Sequence, residues 1–167
     1  ALTSAERSAI AHTPTSNAEA YELFVRGKLA IRNSMRKQDL QLAEQLFTQA
    51  VRIEPVFPEA LAWLALAQAR SFGRGLASDE VRRASVENAR KAIAMDPGVA
   101  VARLALISIF HTTGQAEEGL KEAAILRKLG AADAVSLAAI AEAYLRAGMS
   151  ERAVAIYQQA LARDPED

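Results

Sequence analysis

The sequence predicts an all-α protein built from repeated helical hairpins, and two observations support this. First, apolar residues occupy 51% of the 167 positions, and most of them are Ala or Leu, which lose little side-chain entropy in a helix. Second, an acidic residue precedes proline at Pro55, Pro97 and Pro165. Because proline lacks an amide proton and clashes with the preceding turn, each of these pairs should end a helix.

The distances between these prolines indicate a repeat. Pro97 and Pro165 are 68 residues apart, which is twice 34, and Pro55 and Pro97 are 42 apart, which is eight more than 34. A 34-residue unit is typical of a helix–turn–helix repeat. The spacing predicts four hairpins in one domain over residues 17–167, preceded by an N-terminal arm. The approximate bounds are 1–16 for the arm and 17–55, 58–97, 100–130 and 134–165 for the hairpins.

The last predicted hairpin resembles the tetratricopeptide repeat. Its first helix carries the apolar, small and aromatic residues of that family, a glycine lies at the turn, and its second helix carries the small–aromatic–small series before proline. These residues are Leu137, Ile140, Ala141, Tyr144, Gly148, Ala153, Tyr157, Ala160 and Pro165. Small residues let paired helices approach closely, and rings fill the space beside them. The resemblance implies a right-handed superhelical solenoid of about four antiparallel helix pairs.

The other predicted hairpins depart from the family pattern. In the third, Gly119 inside a helix costs about 1 kcal/mol relative to Ala, so we expect this hairpin to be the softest. Gly130 should end its second helix in the left-handed conformation. The second contains the eight extra residues, which we place in a turn over 71–78. Its first helix allows two packing series, either Leu61, Leu64 and Ala65 or Trp63, Leu66 and Ala67. We prefer the Leu61 series, because it keeps the repeat spacing.

Three expectations concern how helices begin. Ser16 and Glu19 form a capping-box pattern that would start the first helix. A connector over 33–39 would separate it from the second helix. Ser150 would accept a free amide proton and cap the last helix. Within the arm, residues 4–11 could form one or two helical turns.

In tetratricopeptide proteins the first helices line a concave face that usually holds an extended peptide or a partner helix. The resemblance therefore implies a protein-interaction module. Its predicted groove residues are Glu22, Arg26, Leu66, Arg70, Leu104, His111, Glu142, Leu145 and Arg146. The Lys and Asn with which chaperone-binding members hold a C-terminal carboxylate are absent from these positions. Since one end of the set is acidic and its middle apolar, we predict an apolar ligand segment with some basic residues. The alternative, that the leucines only pack between hairpins, stays open.

The last helix predicts self-association. A solenoid normally finishes with a polar capping helix, because its last hairpin otherwise exposes an apolar face. Few residues follow this helix, and four of its apolar side chains would lack a neighbour. They are Ala153, Ile156, Ala160 and Leu161. Two expectations follow: either the natural chain continues past this hairpin, or two copies dock through it as a homo-oligomer.

Composition argues against several other functions. Lys and Arg together number 20, as do Asp and Glu, so the basic surplus of a nucleic-acid-binding protein is missing. There is no Cys, and the two histidines, His12 and His111, have no carboxylate at the spacing of a metal or catalytic pair. We predict no catalytic residue, no metal and no cofactor. No apolar run is long enough to span a bilayer, and we expect a cytoplasmic protein that does not bind membranes.

A second resemblance covers the start of the chain. Leu2, Thr3, Glu6, Pro14, Thr15 and residues 20–27 resemble the segment that precedes tetratricopeptide repeats in multidomain bacterial signalling proteins. Those proteins include nucleotide cyclases such as adenylate cyclase, serine/threonine kinases and winged-helix regulators. The alternative function is therefore that of a regulatory C-terminal region of a larger enzyme. Since the chain begins with Ala1 rather than Met, we expect the natural protein to be longer.

Overall fold

A computed structural model describes residues 15–32 and 36–163, which contain eight α-helices and no strand. The helices are α1 Ala18–Arg32, α2 Lys37–Ile53, α3 Pro58–Gly73, α4 Asp79–Met95, α5 Ala100–Thr112, α6 Ala116–Lys128, α7 Ala134–Arg146 and α8 Ser150–Arg163. The helical turns predicted over 4–11 lie outside the described residues, as does Pro165. The division of the chain into an arm and one repeat domain stays a prediction.

Consecutive helices pack as four pairs, α1 with α2, α3 with α4, α5 with α6 and α7 with α8. Each pair also packs against the next, and the first helices α3, α5 and α7 contact one another in sequence, whereas α1 contacts α3 only slightly. One apolar cluster runs through all four pairs, from Ala20 to Ala160. Because each hairpin covers the apolar stripe of its neighbour, the predicted all-α helical solenoid is confirmed.

Two kinds of residue end the helices. The first helices α3, α5 and α7 are each followed, two residues after their end, by a glycine with φ between 69° and 75°. Only glycine adopts this left-handed conformation without steric strain. The second helices α2 and α4 end directly before the pairs Glu54–Pro55 and Asp96–Pro97. Helix α6 ends instead with Gly130 at φ 75°, as predicted. The repeat is thus marked by glycine at the hairpin turns and by acid–proline between hairpins.

The helix starts differ from two predictions. Asn17, not Ser16, caps α1, because its Oδ1 accepts a hydrogen bond of 3.0 Å from the amide of Ala20. The capping-box prediction was therefore one residue off. At α8, the carbonyl of Met149 accepts the first helical hydrogen bond, from the amide of Ala153 at 3.0 Å. Ser150 is therefore the first helical residue rather than the cap.

The extra residues of the first two hairpins lengthen helices more than connectors. Residues 71–73, predicted as part of a turn, continue α3, and α2 already begins at Lys37 within the predicted connector. Residues 33–35 of that connector lie outside the described ranges. Ser71 is buried, and its hydroxyl donates a hydrogen bond to the carboxylate of Glu44 on α2. Burial raises the pKa of Glu44, and the Ser71 hydrogen bond partly offsets this. The added turn therefore joins hairpins one and two.

Residues of both packing series predicted for α3 are buried. All of Leu61, Leu64 and Ala65 are buried, and so are Leu66 and Ala67, whereas Trp63 of the second series is only partly buried. The helix packs simultaneously against α2, α4 and α5, so apolar residues are required nearly all round it. The buried hydroxyl of Ser85 on α4 donates a 2.8 Å hydrogen bond to the carbonyl of Ala65, which fixes this contact.

Two glycines inside helices differ in the space around them. A Cβ atom at Gly119 would have its nearest neighbour, Phe110 Cβ, at 3.8 Å, an ordinary contact. We expect Gly119→Ala to raise the free energy of unfolding by about 1 kcal/mol, because alanine has the higher helix propensity. Urea denaturation followed by circular dichroism measures the change.

Gly27→Ala is the matched control for this prediction. A Cβ atom there would lie 2.6 Å from Cε1 of the fully buried Phe47 ring. The same gain in helix propensity is then opposed by overpacking, which costs about 1–3 kcal/mol. We expect Gly27→Ala to lower stability. If both substitutions shift stability in the same direction, the packing at one of the two glycines differs from the one described.

Candidate functional site

The first helices of all four hairpins line two adjoining cavities. Cavity A, of about 560 Å³, is formed by α1, α3, α5 and the start of α7. Cavity B, of about 620 Å³, is formed by α3, α5, α7 and one residue of α8. Arg70 and Leu104 line both. Cavities A and B are therefore one continuous surface, called the groove below.

The floor of cavity A is apolar. Trp63 and Leu66 come from α3, and aliphatic side chains from α1, α5 and α7 surround them. These aliphatic residues are Val25, Leu29, Ile31, Val101, Leu104 and Val135. Leu29 and Val135 remain about half exposed, at 55% and 48%. Removing such an apolar surface from water lowers the free energy of the complex, so this floor favours binding of apolar side chains.

Three cations stand around this apolar floor. The Nζ atom of Lys28 lies 5.2 Å from the centroid of the Phe24 ring and 5.5 Å from that of Trp63, within the range of a cation–π contact. Arg32 and Arg70 complete the set. Burial lowers the pKa of the Arg70 guanidinium, because the charged form is partly desolvated. Within the described ranges, none of the three has an ion pair or a side-chain hydrogen bond to a carboxylate.

Cavity B contains a connected polar network centred on Glu142. His111 Nδ1 lies 3.0 Å from Glu142 Oε1, and the hydroxyl of Tyr157 donates to Glu142 Oε2 at 2.9 Å. Arg146 Nη2 lies 2.8 Å from His111 Nε2. A guanidinium can only donate, so Nε2 of His111 is the acceptor in this contact and its Nδ1–H faces the Glu142 carboxylate. Burial, and then the bond to Glu142, raise the pKa of Tyr157.

The fold brings to His111 a carboxylate that its sequence spacing did not indicate. Helix α7 places Glu142 beside it, although the two residues are 31 positions apart. The arrangement does not resemble a catalytic pair, because Arg146 occupies the imidazole nitrogen that would have to activate a nucleophile. Across the part of the chain that the structure describes, no group of three His, Asp or Glu side chains could hold a metal ion, and no helix could span a membrane.

The predicted site residues separate into two sets. Five of them line the groove, namely Leu66, Arg70, Leu104, His111 and Glu142. Arg146 adjoins cavity B through its contacts with His111 and Glu142, whereas Leu145 is 46% exposed and lines neither cavity.

Glu22 and Arg26, predicted at the acidic end of the groove, lie elsewhere. They line a separate depression between α1 and α2, where Arg26 Nη1 is 3.8 Å from Glu22 Oε1. Each residue of a helix is rotated by about 100° from the last, and the groove-facing stripe of α1 is Val25, Lys28, Leu29 and Arg32. Glu22 and Arg26 fall about a quarter turn away from this stripe. The groove therefore has no acidic end on α1.

Sequence reasoning missed two of the three cations of cavity A and its largest ring. Lys28, Arg32 and Trp63 were not among the predicted site residues. The spacing of Val25, Lys28 and Arg32, at three and four residues, marks one face of a helix and was the available signal.

The last helix also differs from its prediction. Ala153, Ile156 and Ala160 are buried, since they pack within the last hairpin and the apolar core, and only Leu161 of the four is exposed, at 57%. Val154, seven residues earlier on the same stripe, is exposed to 55%. The large apolar side chains that α8 exposes to solvent are therefore Val154 and Leu161.

A comparison with protein families identifies the last hairpin. Residues 136–167 match the family model of the tetratricopeptide repeat. The family resemblance predicted from Leu137, Tyr144, Gly148 and Tyr157 is thereby confirmed. The first three hairpins, whose sequences depart from the pattern, lie outside the matched segment.

A comparison with solved structures extends the fold beyond the matched repeat. The chain is similar to the structure titled "MamA RS-1 ArsTM double mutant", with a TM-score of 0.59 and 19% sequence identity. The similarity covers 92% of this chain and 79% of that one. At this identity it shows a shared fold alone, and that fold includes the departing hairpins that accompany the tetratricopeptide repeat. No curated protein matches the sequence significantly.

Proposed function

We propose that this chain is a protein–protein interaction module whose groove binds an extended or helical segment of a partner. The observation that carries this proposal is the continuity of cavities A and B at Arg70 and Leu104. Because all four first helices contribute to one elongated surface, it suits a chain-like ligand better than a compact one. Tetratricopeptide repeats are typical protein-binding units, which supports the general class.

The test compares two double variants of equal chemistry. Leu29→Ser with Val135→Ser removes apolar contacts from the groove, and Val154→Ser with Leu161→Ser removes them from α8. All four side chains are about half exposed, so neither variant should unfold the chain. The chain is used as bait, a captured partner is identified by mass spectrometry, and its affinity for each variant is measured.

We expect the groove variant to bind the partner about tenfold more weakly or worse, a change of about 1.4 kcal/mol, and the α8 variant to bind as the original chain does. Loss of binding in the α8 variant alone would contradict the groove. Concentration-dependent self-association that only the α8 variant abolishes would instead support the homo-oligomer expected from the last hairpin.

The same proposal includes a non-catalytic role for this chain and a cytoplasmic location. A helical repeat array supplies binding surface rather than reactive groups, which supports the first part. The alternative, a regulatory region of a bacterial adenylate cyclase or another signalling enzyme, depends only on the resemblance of residues 2–27. The sequence upstream of Ala1 tests it directly, and a cyclase assay on this chain should be negative in either case.

A further inference from the structure

We propose that the partner segment bound in the groove carries carboxylates beside its apolar side chains, and that these carboxylates pair with Lys28, Arg32 and Arg70. This inference rests on the proposed function and specifies its ligand. It replaces the basic ligand segment predicted from the sequence, because that prediction depended on an acidic end of the groove and Glu22 lies outside the groove.

The anions that line the groove already have partners. Asp133 caps α7, since its carboxylate accepts from the amide of Ser136 at 2.9 Å and from its hydroxyl at 2.6 Å. Glu142 accepts from Tyr157 and contacts His111. Each of these two carboxylates is therefore already partly neutralised or hydrogen-bonded within the fold, whereas the three cations of the groove have no carboxylate partner in the described part of the chain.

The cations differ in this respect. An unpaired Lys or Arg in open water is ordinary and carries no information. Arg70, however, is partly buried at the junction of cavities A and B, and Lys28 lies near two aromatic rings. The partly buried Arg70 has lost part of its hydration without gaining a counter-ion, which is unfavourable, and a ligand carboxylate would restore the lost interactions. Lys28 and Arg32, one helical turn apart on α1, could meet two carboxylates of the same segment.

The surrounding surface favours a protein segment over a nucleic acid. Beside the cations lie Leu29, Leu66 and Val135, which suit aliphatic side chains. A nucleic acid would present phosphates at regular intervals and gain affinity mainly from many cations. The chain as a whole has no net charge to supply them.

The experiment selects peptides from a random 16-residue display library on the full chain. Clones that no longer bind the Leu29→Ser, Val135→Ser variant are kept as groove-dependent. We expect these clones to be enriched in Asp and Glu next to Leu, Ile, Val or Phe. One selected peptide is synthesised, together with a version in which every Asp and Glu becomes Asn or Gln, and binding is measured by fluorescence anisotropy.

The chain variants then test the assigned cations. Lys28→Gln and Arg70→Gln should each weaken binding of the acidic peptide about tenfold, which corresponds to loss of one charge-assisted contact. Arg90→Gln is the matched control, because it makes the same charge change on the outer surface of α4 and should leave the affinity unchanged. The exposed Lys28 provides the test if Arg70→Gln proves unstable.

The outcomes separate the two proposals. Groove-dependent peptides that are basic or uncharged, or that bind Lys28→Gln and Arg70→Gln normally, overturn the acidic ligand and leave the groove function standing. Selection that yields no groove-dependent peptide overturns both. A single-stranded oligonucleotide that displaces the acidic peptide at equal concentration, with the same dependence on Arg70, overturns the choice of a protein segment.

Discussion

Replacing Phe47 with Ala is expected to lower the free energy of unfolding by about 3–5 kcal/mol. The Phe47 ring is fully buried on α2 and lies 6.2 Å, between centroids, from both Phe24 on α1 and Trp63 on α3. It also covers Gly27, where no side chain could fill the space that the ring would leave. The substitution therefore removes ring contacts both within the first hairpin and between it and the second.

Urea denaturation followed by circular dichroism measures this effect. Because repeat proteins are stabilised by contacts between neighbouring units, the first hairpin of the variant is expected to unfold in a separate, earlier transition. Tyr21→Ala serves as the control, since Tyr21 is an aromatic residue of the same hairpin that is 36% exposed. A loss of stability as small as that of the control would contradict the described role of Phe47.

Replacing Glu122 with Ala is expected to destabilise the third hairpin by about 3–5 kcal/mol, because it leaves a buried charge without its partner. Arg103 on α5 is 7% exposed, and its Nη1 atom lies 2.6 Å from Glu122 Oε2 on α6. Its Nη2 donates only a long hydrogen bond of 3.5 Å to the carbonyl of Pro97, and its Nε has no hydrogen-bond partner in the described residues. No other carboxylate forms an ion pair with Arg103 in the described residues.

The double variant Arg103→Met, Glu122→Leu is the control for this prediction. Replacing both partners with apolar side chains of similar size avoids the unpaired charge, so its stability should be close to that of the original chain or higher. Both variants are measured by chemical denaturation at neutral pH. If Glu122→Ala and the double variant lose equal stability, the packing of the side chains matters at this site and their charges do not.

The fold could be predicted because its signals are local. Pro55, Pro97 and Gly130 each end a helix through backbone chemistry that does not depend on tertiary contacts. The spacing between such residues then gives the repeat without any knowledge of packing. Helix starts were less predictable. Ser16 and Asn17 are both suitable caps for α1, and Ser150 is a suitable cap at α8, so residue type alone does not identify the capping residue.

The groove could be predicted on α3 and α5 but not on α1. Gly27 lies under the Phe47 ring, which fixes the face of α1 that turns toward α2. The rotation of the whole helix follows from this contact, and it brings Lys28 rather than Glu22 into the groove. A pattern of spacings within one helix cannot reveal such a rotation, because a partner helix sets it.

The contact between His111 and Glu142 has a similar origin. The two residues lie on α5 and α7, in different hairpins, and the offset between those helices determines whether they meet. Arg103 and Glu122 illustrate the same limit within one hairpin. Residue type suggested neither pair, since charged residues on helices face water by default.

The enclosure of α3 has a consequence for how this sequence can diverge. Five alanines of the helix, Ala60, Ala62, Ala65, Ala67 and Ala69, are fully buried on faces that meet three different helices. A larger side chain at any of them would require its neighbours to change as well. Related chains should therefore preserve α3 longest and vary most on α8.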